Sequence, residues 1–135
     1  DRGLITGLTR DSDWRDLVRA TIESVAYQTS DLFLSMRKDG LNPKSVKVDG
    51  GMVSNNWFVQ FLSEILKIKI TRSKINETTA LGAAYMAGYQ TGIYRSLSDI
   101  KQNWKKDRDF KPKFNKSYRN KLLQGWQQAI KKTLA

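Results

Sequence analysis

Residues 48–56 read Val48-Asp49-Gly50-Gly51-Met52-Val53-Ser54-Asn55-Asn56, and the fold turns on them. Before them, Ser45 to Val48 predicts a short strand built on β-branched Val46 and Val48. After them, Phe58, Phe61, Leu62 and Ile65 fall on one side of a helix. Two glycines between a strand and a helix let the backbone take positive φ and bring a ligand against it with no Cβ in the way. Exposed amides there, with the positive end of the following helix, suit an anionic or polar ligand such as a nucleotide. Asn55 and Asn56 can read a purine edge or a ribose, and either can equally cap the helix. The stretch is not a Walker loop, because no Gly-Lys-Ser or Gly-Lys-Thr follows, and it lacks the third glycine of a dinucleotide fingerprint.

Working outward, Asp13 reads as a helix cap with Asp16 as its capping-box partner. Leu17, Thr21, Val25, Thr29, Leu32 and Met36, widened by Val18, Ile22, Ala26 and Phe33, predict a long amphipathic helix with core on that stripe. The helix stops near Lys38-Asp39-Gly40, and Asn42-Pro43 breaks the chain. Upstream, residues 3–9 read as a short extended segment. Downstream, Ile68-Lys69-Ile70-Thr71 alternates as a second strand, and Thr78 or Thr79 caps a third helix. In that helix Ala80, Gly82, Ala83, Ala84, Ala87 and Gly88 leave room for a neighbouring backbone. Glu77, Thr78 and Thr79 can also offer a carboxylate and hydroxyls to a ligand or to magnesium-bound water, and Asp49 can serve as a general base. Helix, strand, helix, strand, helix implies an α/β layer with parallel strands. Two strands fall short of the about 4–6 of a typical sheet, so further strands are expected from elsewhere.

Composition narrows the chemistry. The 135 residues contain no Cys and no His, which excludes thiolate nucleophiles, imidazole bases, thiolate or imidazole zinc sites and disulfides. The chain carries 24 Lys and Arg against 13 Asp and Glu, for a net charge of +11. From Lys101 onward the basic surplus is nine, so the charge sits in the tail. After Ser96-Leu97-Ser98-Asp99, a short helical turn, the tail passes Phe110-Lys111-Pro112 to a final helix from about Ser117. Its Tyr118, Leu122, Trp126 and Ile130 share one face. Interleaved lysines and aromatics invite a nucleic-acid reading, but burying that face against the rest of the chain explains them at lower cost. The rival to an enzyme is therefore a non-enzymatic basic α/β module gripping nucleic acid or an acidic partner through its tail. No run is long and apolar enough for a membrane span and no leader is evident, so a cytoplasmic setting is expected.

Four segments taken together resemble one family. Gly3-Leu4-Ile5-Thr6-Gly7-Leu8-Thr9-Arg10, Arg19-Ala20-Thr21-Ile22-Glu23-Ser24-Val25-Ala26-Tyr27-Gln28-Thr29, the Asp49–Asn56 stretch, and Glu77-Thr78-Thr79-Ala80-Leu81-Gly82-Ala83-Ala84-Tyr85 stand in the order found in glycerol kinases. The chain is similar to the C-terminal portion of those FGGY carbohydrate kinases, closely from Arg2 to about Gly92 and more loosely in the tail. The resemblance implies an incomplete, ribonuclease-H-like C-terminal lobe of the sugar kinase, Hsp70 and actin ATPase type, with a docked C-terminal helix. It implies that residues 1–95 are part of the nucleotide-side lobe and 96–135 a basic helical extension packed on it. It further implies that Gly51 and Asn55 contact the adenine nucleotide and that Gly50 shapes the turn. ATP and Mg2+ would be the cofactors and glycerol the acceptor. Neither a catalytic residue nor a metal ligand falls in this chain. The missing N-terminal part would be the principal partner, with self-association through an open sheet edge as a further possibility. Two positions depart from the family pattern: Ser73, where a proline is usual, and Trp57, where a smaller apolar residue or Phe is.

Overall fold

The computed structural model describes residues 3–75 and 77–133. Helix α1 runs Trp14–Lys38, strand β1 Ser45–Val48, helix α2 Asn56–Leu66 and strand β2 Lys69–Ser73. Then come α3 (Thr78–Gln90), α4 (Leu97–Gln102), β3 (Lys106–Phe110) and α5 (Lys116–Thr133). The predicted caps account for the helix starts. Asp13 accepts from the amides of Arg15 and Asp16, and Asp16 reaches back to the Asp13 amide, closing a capping box. Ser96 and Asp99 do the same for α4. At the far end of α1 the amide of Leu41 donates to the Met36 carbonyl at 2.9 Å and that of Gly40 to Arg37 at 3.1 Å, the paired bonds of a Schellman stop.

β1 and β2 pair in parallel, with Val46 opposite Ile70 and Val48 opposite Arg72, as the strand–helix–strand order requires. The sheet nonetheless has three strands, ordered β1-β2-β3, and β3 is antiparallel to β2. Sequence reading placed no strand in the tail, because Lys106-Asp107-Arg108-Asp109-Phe110 has neither an apolar alternation nor β-branched residues. The strand forms through cross-strand pairing instead. Thr71 Oγ1 donates to Asp109 at 2.7 Å, Lys106 bridges to Asp109 at 3.0 Å, and Phe110 buries opposite Ile70. Those bonds from Thr71 and Lys106 hold the Asp109 carboxyl below its ordinary pKa.

Helix α2 is the centre of the molecule. It touches β2 and β3 on its sheet side and α1 and α5 beyond. Phe58, Val59, Phe61, Leu62, Ile65 and Leu66 join Ile68, Ile70, Phe110 and α1's Ala26, Tyr27 and Phe33 in one apolar cluster. Two polar side chains buried in α2 tie down the tail. Glu64 accepts from the amides of Lys113 and Phe114, and Ser63 Oγ donates to the Ile68 and Phe110 carbonyls. The β3–α5 connection is thereby satisfied from within the core.

The α1 stripe is only partly core. Ala26, Tyr27, Ser30 and Phe33 are buried, whereas Leu17, Val18 and Leu32 are exposed. α2 packs on α1 most extensively and α5 adds a smaller contact. Thr78 and Thr79 do not cap α3. The cap position is Glu77, whose side chain makes no capping bond, and Thr78 donates its hydroxyl to the Asp49 carboxylate. Residues 3–9 form no strand. The tail helix docks only in part: Leu122, Leu123 and Trp126 pack half-buried on the core, whereas Tyr118, expected on the buried face, is exposed. Trp126 stacks on Tyr27 at 5.5 Å and donates Nε1 to Asp31 at 2.7 Å, so its indole is committed to the fold rather than open to a base.

Candidate functional site

The Gly50-Gly51 turn leaves β1 at its carboxyl end, beside the carboxyl end of the parallel β2, where open α/β sheets place their ligands. Gly50 has φ +94°, a conformation that L-residues with a Cβ rarely adopt. Gly51–Ser54 then form one turn of 3-10 helix, closed by the Val53 amide donating to Gly50 and by the Ser54 hydroxyl on the Gly51 carbonyl. A Cβ built on Gly50 or on Gly51 would meet no heavy atom within 4 Å. The main chain is therefore bare on that side, with Gly51 and Asn55 exposed and Val53 anchoring the turn in the core.

Asn55 caps the helix that follows the turn. Its Oδ1 accepts from the amides of Trp57 at 3.0 Å and Phe58 at 3.2 Å, making it the cap of α2. With both acceptor sites of that oxygen engaged, the side-chain amide NH2 is what Asn55 could still offer a ligand. Asn56 is the first residue of the helix and plays no capping part. Of the two readings of the Asn pair, the structure shows the cap, and it falls to Asn55.

Two further groups frame the turn. Asp49, the residue before Gly50, is held by Thr78 and so joins the start of α3 to the end of β1. Its carboxylate is engaged by the fold. No group of three or more His, Cys, Asp or Glu that could hold a metal ion occurs among the described residues. On the other side, Asn55 and Trp57 border a groove of about 320 Å³ whose far wall is Trp14, Arg15, Val18 and Arg19 of α1. Trp57 lies flat on Phe61 at 5.1 Å, with the Arg19 guanidinium 5.6 Å from its ring. Arg19 also bonds Glu23 at 2.7 Å, and that bond raises its pKa, so the cation is permanent.

Sequence reasoning missed Arg72, which reaches from β2 to the carbonyls of Val53 and Ser54 under the turn. The signal was there. Ile68, Ile70 and Arg72 share one face by the period of two, and a cation continuing an apolar face must be held by something.

Comparison with known proteins agrees with this geometry. Residues 2–91 match the family model described as the FGGY family of carbohydrate kinases, C-terminal domain. A glycerol kinase of Rhodospirillum centenum is 48% identical over 98% of this chain. The glycerol kinase of Plasmodium falciparum, solved with ADP, superposes on 96% of the chain with TM-score 0.83 and 35% identity. A xylulose kinase of Rhodospirillum rubrum shares the fold at TM-score 0.77 and 20% identity, again over 96% of the chain. The chain spans 26% of the length of each of these relatives. The α/β architecture, the open glycine turn and the family match converge: this chain belongs to the FGGY family of carbohydrate kinases, to whose C-terminal domain its residues 2–91 correspond.

Proposed function

We propose that this chain is the adenosine-side wall of a glycerol kinase, an enzyme that passes the γ-phosphoryl group of ATP to a terminal hydroxyl of glycerol. One observation carries the reading: a strand-end turn where a Cβ at Gly50 or Gly51 would meet nothing within 4 Å, flanked by the exposed Asn55. In this reading residues 1–95 are part of the nucleotide-side lobe and 96–135 an extension packed on it. Gly50 sets the direction of the turn, Gly51 lets the nucleotide lie against main chain, and the Asn55 amine donates to a base or ribose acceptor.

Phosphoryl transfer depends on positioning and charge neutralisation more than on covalent help from the protein. The contribution of this chain is position. Mg2+ would arrive with the nucleotide. The residues described here do not form a ligand set for it, so no step is assigned to it on this chain. The base for the acceptor hydroxyl and the acceptor site belong to the remainder of the enzyme, and the setting is cytoplasmic. Self-association through the free edges of β1 and β3 is the further partner reading, and light scattering reports it.

The test uses the turn itself. In the full-length protein carrying this sequence, Gly51→Ala should leave thermal stability within about 0.5 kcal/mol of wild type, because the added methyl meets nothing. It should weaken ADP binding tenfold or more by calorimetric titration, because the methyl occupies the nucleotide's place. Unchanged ADP affinity in Gly51→Ala would remove the assignment. The isolated 135-residue chain should transfer no phosphoryl group above a blank and bind ATP weakly at most.

A further inference from the structure

We propose that Arg72, aimed by Asp107, is a positioning residue for the nucleotide turn, setting nucleotide affinity without touching the nucleotide. The proposal rests on the reading of the site given above.

The last carbonyls of a short helix have no partner inside it. In the 3-10 turn these include Val53 and Ser54, immediately before Asn55. Arg72 Nη1 donates to both, at 2.8 Å and 3.3 Å. The other edge of the guanidinium is taken by one carboxylate: Nε and Nη2 each lie 2.7 Å from Asp107 Oδ2. Its Cζ lies 5.4 Å from the centroid of the Phe110 ring, and the side chain is 13% exposed. A planar fork can bridge a carboxylate and two carbonyls at once, which a lysine ammonium on the same stem cannot.

The sheet is irregular where this pairing needs it. β2 and β3 pair Arg72 with Arg108 but Ser73 with Lys106, so Asp107 is the extra residue of a bulge. A bulge bends its strand and re-aims a side chain, and here the re-aimed side chain is the one that grips Arg72. The backbone position of Asn55 therefore depends on a chain of contacts from Asp107 through Arg72 to Val53 and Ser54. A residue of the tail strand thus shapes a turn that lies 53 positions upstream in the sequence.

Arg72→Met, Arg72→Lys, Asp107→Asn and the Arg72→Met/Asp107→Asn double variant, made in the full-length protein, test this. Thr71→Val, one position away and bonded to Asp109 instead, is the control. ADP affinity should fall tenfold or more in Arg72→Met, about threefold to tenfold in Arg72→Lys and Asp107→Asn, and less than twofold in Thr71→Val. The double variant should be no weaker than Arg72→Met, because the two side chains act as one unit. In steady-state kinetics the KM for ATP should rise while kcat stays within twofold. A merely structural role would instead lower the active fraction, and so kcat, at unchanged KM. Folded Arg72→Lys and Asp107→Asn variants with wild-type ADP affinity, or a fall in kcat alone, overturn the proposal. If Arg72→Met does not fold, the Lys and Asn variants decide it. A wild-type protein that binds no ADP removes the site assignment and this proposal together.

Discussion

Helices α2 and α3 follow the two parallel strands in the same way, yet they meet opposite fates. Eight of the eleven residues of α2 are buried, including Ser63 and Glu64. Within α3 only Gly88 is buried among the described residues. The difference lies in what packs on each helix. α2 brings Phe58, Phe61, Leu62 and Ile65, and β2, β3, α1 and α5 all pack on it. α3 sets Ala80, Gly82, Ala83, Ala84 and Ala87 beside Leu81, Tyr85, Met86 and Tyr89, and its Met86 and Tyr89 stand exposed. α3 is held at its ends instead, by Thr78 on Asp49 and by Tyr94 folding back against Gly88. The glycine turn sits between a packed unit and a bare one, with its rigid side supplied by α2.

That contrast can be broken most forcefully at Ile65, which is fully buried. Ile65→Ala should cost about 3–4 kcal/mol in chemical denaturation, as deletions at closed core sites do. A loss under about 1 kcal/mol would mean that α2 is not the centre of the core. Gly88→Ala probes the one fixed point near the end of α3. Its new Cβ would lie 2.8 Å from the Tyr94 ring, so the ring must swing away at a cost of about 1 kcal/mol. Loss of the edge contact between Tyr94 and Tyr85, followed by NMR, reports it. Gly82→Ala should go the other way, raising stability by up to about 1 kcal/mol, since its methyl meets nothing and alanine favours the helix.

The smallest effect concerns pH and the dense side of the molecule. Burial, with Glu23 alongside and bonded to its hydroxyl, pushes the Tyr27 phenol well above its usual range. A raised pKa in the folded state means the associated stability is whole below about pH 10, the unfolded tyrosine value, and is lost as pH climbs past it. Tyr27→Phe should therefore show a shallower decline in melting temperature above pH 10 than wild type. Parallel declines would show that Tyr27 is not held protonated by its surroundings.

What could be read from the sequence follows the same physics. α1, β1, α2, β2 and α4 were legible because each carries its own instruction: Asp13 with Asp16, Val46 with Val48, the apolar face of α2, Ser96 with Asp99. The strand-end turn was legible because its backbone, with positive φ at Gly50, favours glycine. β3 was not, since its charged residues find their reason in Thr71 and Arg72, some 35 positions away. The exposure of Leu17, Val18 and Leu32 was equally hidden, because periodicity marks an apolar face without saying what covers it. The role of Thr78 was misjudged for a related reason. A threonine before a helix is a good cap, and only the fold shows that its hydroxyl has a better acceptor in Asp49.

Asp31 gives the molecule a built-in order of events. Its two carboxylate oxygens wait for Trp126 and Gln127, separated from it by 95 and 96 positions. Closing so distant a pair is slow, because chain entropy must be lost before the contact rewards it. A ribosome would release α1, the parallel strands and α2 well before that clasp can shut, leaving Tyr27 and its neighbours uncovered meanwhile. The interval before α5 arrives is when a nascent chain of this kind is most exposed to chaperones and to its own copies.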